Sequence, residues 1–183
     1  MLGLMGLTWV EAPMEAEGAA AVMCSRGDVA AVASQDWDTL LYGSPVMVRN
    51  LTSHGTRRFG RVMSAERIFL SETLESHGIT REQLVDLGIM VGTDFHPGIK
   101  GIGPKTGLKL MKKHGTMEAV AEARGFELPD NLEGIRSLFM EHPVGDEPLP
   151  EAQRAVEEDL RSFLQEERGF SERRMERALN RLA

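Results

Sequence analysis

The stretch Gly98-Ile99-Lys100-Gly101-Ile102-Gly103-Pro104-Lys105 constrains this chain more than any other. Its glycines let the backbone turn tightly and bring its own N–H groups up to a ligand. Pro104 suits the first turn of a helix, where its missing N–H would be unpaired anyway and its φ is already helical. Gly115 supplies the stop. Between them Lys105, Lys109, Lys112 and Lys113 recur at the i, i+4, i+7, i+8 spacing of one helical face, with Leu108 and Met111 left to face inward. A helix start preceded by glycines favours an anion, and lysines on the same face extend that preference along a polyanion. A lysine face alone is what any solvated helix shows, and Gly-x-Gly-x-x alone is common. Their combination predicts a phosphate-binding helix-hairpin-helix.

All five lysines lie between Lys100 and Lys113, and no Asp or Glu interrupts positions 95–117, although the formal net charge is -7. That acidic total argues against indiscriminate nucleic-acid binding and leaves room for a local basic patch. A length of 183 residues, 42% of them apolar, suits one domain or one and a half with a real core. The single cysteine, Cys24, cannot close an internal disulfide, so a reducing cytoplasm is expected; it reads as a small buried hydrophobe. No apolar run approaches the ~20 residues of a membrane span, and Met1–Leu7 lacks the basic flank of a targeting segment.

The N-terminal third predicts an α/β layer. Thr8–Val10 reads as a brief strand, Glu15–Arg26 as an Ala-rich helix ended by Gly27, and Val29–Ala33 as a parallel strand covered on both faces. A turn of helix at Trp37–Tyr42 leads to a strand at Val46–Leu51, a Ser53-His54-Gly55 turn and a return strand around Arg57–Val62. Helices follow at Ser64–His77, closed by Gly78, and at Thr80–Val91, opened by the capping box Thr80-x-x-Gln83. Beyond Gly115 the pattern is helical, over Met117–Ala123, Leu132–Met140, Glu151–Arg168 and Ser171–Leu182, with His142–Pro150 as a loop. Two or three strands make too small a sheet to stand alone, so more chain is expected upstream of Met1.

Carboxylates recur where such a layer binds ligands, beyond the carboxyl ends of its strands. Glu15 and Glu17 follow Pro13, Asp36 and Asp38 follow the apolar strand, and Asp94 follows Leu87–Val91. Two readings are open. These acids could hold Mg²⁺, which takes carboxylate oxygens and water. Equally, Glu15 and Glu17 could complement a helix dipole and Asp36 could cap the next turn. A carboxylate cluster beside a phosphate anchor favours the metal, because those are the two halves of a nuclease. His54, His77, His96, His114 and His142 show no metal-ligand spacing, and Trp37 and Tyr42 read as core.

Four segments carry a family resemblance: Trp9-Val10-Glu11-Ala12-Pro13-Met14-Glu15-Ala16-Glu17, Ala31-Val32-Ala33-Ser34-Gln35-Asp36-Trp37-Asp38, Val48-Arg49-Asn50-Leu51-Thr52, and Gly92-Thr93-Asp94-Phe95-His96-Pro97 running into the glycine hairpin. With Arg168-Gly169-Phe170-Ser171-Glu172 near the end, the chain resembles the archaeal-type flap endonucleases of the XPG/5′-nuclease family over essentially its whole length. The resemblance implies part of the parallel sheet of a PIN-like nuclease domain at 1–94, a helix-two-turn-helix element at 95–116 and an all-helical region at 117–183. It implies that Glu15, Glu17, Asp36, Asp38 and Asp94 hold two Mg²⁺ ions, for which Mn²⁺ can substitute. It further implies that the hairpin backbone at Gly98, Ile99, Gly101, Ile102 and Gly103 binds K⁺ and DNA phosphate, with the carbonyls of Gly98, Ile99 and Ile102 facing the ion. Lys100, Lys105, Lys109, Lys112 and Lys113 would contact the duplex.

The implied function is structure-specific hydrolysis of 5′ flaps in DNA replication and repair, in a prokaryotic cytoplasm at the nucleoid. The alternative is a non-catalytic duplex-DNA-binding fragment with a vestigial metal site. Departures from the family pattern are expected to matter: its N-terminal half, with two further aspartates and the basic arch, and the tail that binds the sliding clamp have no counterpart here. His96 stands where the pattern usually has Asn, and Met14 where it often has Ser.

Overall fold

The computed structural model describes residues 1–180 except His54, Phe59, 145–148 and Ala152. Contacts divide the chain into two compact units, one of Ala12–Gly145 and one of Met1–Glu11 with Asp146–Ala183.

The larger unit begins with α1 (Ala16–Arg26), whose Ala-rich sequence is a strong helix former and whose end is closed by Gly27 in the left-handed conformation. Then come β1 (Val32–Ala33), α2 (Asp38–Leu41), β2 (Val46–Arg49), a small hairpin of β3 (Arg57–Arg58) and β4 (Arg61–Val62), and β5 (Glu66–Phe69). The sheet has the order β1-β2-β5. β1 lies parallel to β2, with Val32 opposite Met47, and β5 runs antiparallel to it, with Met47 opposite Ile68. The α/β class and a parallel pair are therefore present, but the third strand corrects the helix expected over Ser64–His77. Pairing along β2 outweighs the helix propensity of Ala65-Glu66-Arg67, and α3 starts only at Leu70 (Leu70–His77), ending as expected at Gly78. Val29–Ala33 is also not covered on both faces, since Ala33 is exposed while Val32 is buried. The expected turn at His54 and part of the return strand, at Phe59, lie outside the described residues.

α4 (Arg81–Val91) opens with the predicted capping box: the Gln83 N–H donates to Thr80 Oγ1 and the Thr80 N–H to Gln83 Oε1. Around it pack α5 (Pro104–His114), α6 (Met117–Arg124) and α7 (Leu132–Met140). Their core holds Val85, Ile89, Met90, Met111, Met117, Val120 and Phe139, and Phe139 meets Tyr42 at 4.9 Å and Phe95 at 5.5 Å. Gly107 lets α5 approach α4 closely, for a Cβ there would lie 2.5 Å from Leu87 Cδ1. Arg81 ties the ends of α2 and α7 to α4 by donating to the carbonyls of Tyr42 (2.9 Å) and Phe139 (2.7 Å).

The smaller unit holds α8 (Glu157–Arg161), which continues as a π-helix over Ser162–Glu167, and α9 (Glu172–Leu179). Leu160, Leu164 and Met175 are buried together against Leu4, Met5, Phe163 and Leu179. The strand expected at Thr8–Val10 is not formed; no neighbouring strand is offered to it among the described residues, and Trp9 and Val10 are exposed. The helix expected from Glu151 begins only at Glu157. The end expected at Leu182 falls outside the described residues. Among those residues no helix is long and apolar enough to cross a membrane.

Candidate metal centre and nucleic-acid interface

Local chain geometry gathers the carboxylates from three places. Glu15 is the extended residue before α1 and caps nothing with its side chain, so it is free to project, while Glu17 sits in the first turn. Ser34, just past β1, donates its hydroxyl to Glu17 Oε1 at 3.4 Å and accepts the Asp36 N–H at 3.0 Å. Asp36 Oδ1 in turn accepts the Asp38 N–H at 3.0 Å, a local turn that occupies one of its two oxygens, while the residue at the N-cap of α2 is Trp37 and not Asp36. Asp94 stands at the corner of a tight turn closed by the Thr93 N–H to the His96 carbonyl (2.8 Å) and the His96 N–H to the Thr93 carbonyl (3.2 Å). Phe95 beside it is seated against Phe139, which fixes that turn on the core.

The electrostatics join what the sequence left apart. The Asp38 carboxyl is pushed up to about 6 by partial burial, then by the charges of Asp36, Asp94, Glu17 and Glu15. The buried Tyr42 phenol is also driven up, by burial first and then by Glu15, Asp38, Glu17 and Asp94. All five predicted acids thus act in one field around Asp38. They form no closed shell: among the described residues no three His, Cys, Asp or Glu side chains stand close enough to hold one ion together. The donor set is nevertheless of the type a hard divalent cation takes, and the mutual repulsion that adds to burial in lifting Asp38 is what such a cation relieves.

Three residues of this neighbourhood were not legible as such. Ser34 carries a signal that could have been used, since Ser-x-Asp is a local turn pattern. His142 carries none, being far away in sequence. It is buried, Gly18 packs on its ring, and burial pulls its pKa down against the opposing charge of Glu15. Trp37 corrects an expectation: Tyr42 is core at 5% exposure, but Trp37 is 52% exposed, with the Arg49 guanidinium 4.1 Å from its ring centroid.

The glycine hairpin joins α4 to α5. Gly98 and Gly101 have φ of +84° and +86°, where a side chain is strained, and a Cβ on Gly98 would meet the Val91 carbonyl oxygen at 2.5 Å. The Ile99 N–H donates to the Met90 carbonyl at 2.7 Å, which bolts the loop to the end of α4, and the Ile102 N–H donates to the Ile99 carbonyl at 3.0 Å, which closes the turn within the loop. Ile102 is buried in the core and Ile99 packs at its edge, so the side chains anchor the hairpin while Lys100, Gly101 and Gly103 stay exposed. Gly103 precedes α5 with no side-chain cap, Pro104 follows as its first residue, and no acid stands in the first turn. Lys105, Lys109, Lys112 and Lys113 are exposed along α5 while Gly107 and Met111 are buried. Met111 therefore faces inward as expected, and Gly107 takes the inward place beside a half-buried Leu108. None of the five lysines is ion-paired among the described residues.

Residues 6–94 match the family model of the XPG I-region. A carboxylate field at the end of a small α/β sheet, a glycine hairpin and this match together define the class the chain is similar to, the XPG/5′-nuclease family. Within that family its likeness is to the archaeal flap endonucleases. It is 44% identical over 187 residues to "Flap endonuclease 1" of Methanothrix thermoacetophila, an alignment covering 100% of this chain and 55% of the relative. The solved flap endonuclease-1 of Methanococcus jannaschii superposes with a TM-score of 0.84 at 37% identity, over 99% of this chain and 54% of that one. The Holliday junction-resolving enzyme GEN1, solved with product DNA and a Mg²⁺ ion, has a TM-score of 0.68 at 26% identity, over 90% of this chain and 49% of its own. The chain thus spans about half the length of the curated relatives it matches.

Proposed function

We propose that this chain carries the carboxylate centre and the phosphate anchor of a structure-specific 5′ flap endonuclease, a metal-dependent phosphodiesterase of DNA replication and repair. The observation that carries the proposal is the gathering of Glu15, Glu17, Asp36 and Asp94 around Asp38, whose carboxyl is lifted by burial first and then by those four charges, in the unit that also bears the lysine-lined hairpin. Those five acids would hold two Mg²⁺ ions, or Mn²⁺ in their place. Bound there, the ions would supply an activated water and neutralise charge at the scissile phosphate. Asp36 and Ser34 hold the loop that presents Asp38, and the turn at Thr93–His96 presents Asp94.

The hairpin would take K⁺ on the carbonyls of Gly98, Ile99 and Ile102, and duplex phosphate on the N–H groups around Gly101 and Gly103. Lys100, Lys105, Lys109, Lys112 and Lys113 would follow the backbone of a flapped duplex. The functional division at 1–94, 95–116 and 117–183, an association with a sliding clamp through other parts of the protein, and work at the nucleoid of a prokaryotic cytoplasm complete the proposal. The alternative, duplex binding without hydrolysis, draws on the open spacing of the acids.

The test is Mg²⁺-dependent incision of a labelled 5′-flap duplex, with the portion of a related flap endonuclease that lies beyond this alignment supplied in trans. Incision is expected to disappear when Asp36→Asn and Asp38→Asn are combined. Undiminished incision by that variant overturns the metal assignment, and salt-sensitive binding with no incision in any arrangement selects the alternative.

A further inference from the structure

We propose that Trp37 is a stacking platform for an unpaired nucleobase, placed by Arg49 beside the carboxylate centre. The inference rests on the nucleic-acid reading above and adds to it a specific contact with a base instead of the backbone. Trp37 presents an indole that is 52% exposed, an apolar ring with a polar handle, and it lies between Asp36 and Asp38. Its ring is not loose. Arg49, the last residue of β2, places its guanidinium 4.1 Å from the ring centroid and donates from Nη2 to the Gln35 carbonyl at 3.2 Å.

The sheet therefore fixes the cation, the cation fixes the indole, and the indole remains open to solvent. A ring with that much exposure, already ordered, stacks on a base at little further entropy cost, and it does so with any sequence because every base has a π-face. A protein surface is the weaker candidate. The ring is flanked by Asp36 and Asp38 and covered by a guanidinium, so an apolar partner would have to bury charge. An unpaired base brings its own polar edges and leaves those groups wet.

The whole chain offers a direct readout, because it contains only two tryptophans, Trp9 and Trp37. In a Trp9→Phe background the emission of Trp37 is followed while three labelled duplexes are titrated: one with an unpaired base at a flap junction, the same duplex with an abasic site there, and a fully paired one. Anisotropy of the label reports binding independently. The base-bearing junction is expected to quench Trp37, and the abasic and paired duplexes to bind with little quenching. Trp37→Ala is expected to weaken the base-bearing junction about tenfold and to leave the abasic duplex unchanged, with Trp37→Phe in between. Equal quenching by all three duplexes, or binding of all three with no change in emission, overturns the stacking role and leaves phosphate binding intact. Failure of anisotropy to register any duplex overturns both.

Discussion

Replacing Asp38 by Asn should stabilise the metal-free chain near neutral pH and remove that gain in acid. The Asp38 carboxyl rises from its ordinary 3.8 to about 6, through burial and then the charges of Asp36, Asp94, Glu17 and Glu15. Such a lift corresponds to about 3 kcal/mol between the protonation states. Asp38 is only half-buried, so solvent screening reduces this to about 1–2 kcal/mol. The sign follows from proton counting. Between about pH 4 and 6 the folded chain holds a proton that the unfolded chain has released, so stability falls as pH rises through that window and stays low above it. Asn keeps the shape and has no charge to repel. In EDTA, urea titrations should show Asp38→Asn more stable than wild type by about 1–2 kcal/mol at about pH 7.5 and equal to it near pH 4. Added Mn²⁺ should reverse the order by stabilising wild type far more than the variant. A variant less stable than wild type at neutral pH in EDTA would refute the repulsion, because Asp38 would then be held by favourable contacts.

Changing Lys105 and Lys109 to Ala should flatten the log–log salt dependence of duplex binding by up to about 1.8, from roughly 0.9 for each phosphate released, with no change in sequence preference. Gly98→Ala combines a φ of +84° with a Cβ 2.5 Å from the Val91 oxygen, so it should cost at least about 2 kcal/mol in denaturant, whereas Gly103→Ala, with φ of -96° and open space, should cost under about 1 kcal/mol. Arg136 bonds the buried Asp86 at 2.7 and 2.8 Å and also reaches Glu118 and Glu133, so Arg136→Met should strand a buried charge and lose about 3–5 kcal/mol, only part of it recovered by adding Asp86→Leu, because the Met117 N–H then loses its acceptor.

The hairpin and its helices were legible because their signals are local. A capping box, a proline at a helix start and glycines at left-handed positions each act within a few residues, and Thr80, Pro104, Gly98 and Gly115 behave as their types require. The acids were legible as positions but their mutual field was not, since Asp94 reaches Asp38 only through the packing of α4 against α2. β5 was missed for a related reason. Glu66-Arg67-Ile68-Phe69 has no decisive period, and only the presence of β2 as its hydrogen-bonded neighbour, about 4.8 Å away, makes it a strand. Trp37 reads as core because an aromatic beside an apolar run usually is; in the fold it stays at the surface, packed against an arginine that arrives from β2, a pairing that sequence spacing does not show.

One helix sets the relation between the two halves of the candidate site. α4 ends at Val91; Asp94 follows within three residues, and the phosphate hairpin is fastened back on the same helix end through the Ile99 N–H to the Met90 carbonyl. His96 reinforces this junction, because its Nδ1 lies 3.1 Å from the Ile89 carbonyl and 3.1 Å from the Gly98 N–H. A neutral ring protonated at Nε2 accepts the Gly98 N–H at Nδ1, whereas a ring protonated at Nδ1 must give up that bond and donate to Ile89. The fastening of Gly98 is therefore tied to the state of one ring. His96→Asn retains a group that can accept from the Gly98 N–H and should keep hairpin geometry, while His96→Leu leaves that N–H without its acceptor. Hydrogen exchange at Gly98 is the measurement: protection should survive in His96→Asn and fall in His96→Leu. Equal protection in the two variants would show that the Met90–Ile99 bond alone holds the hairpin to the helix that carries Asp94.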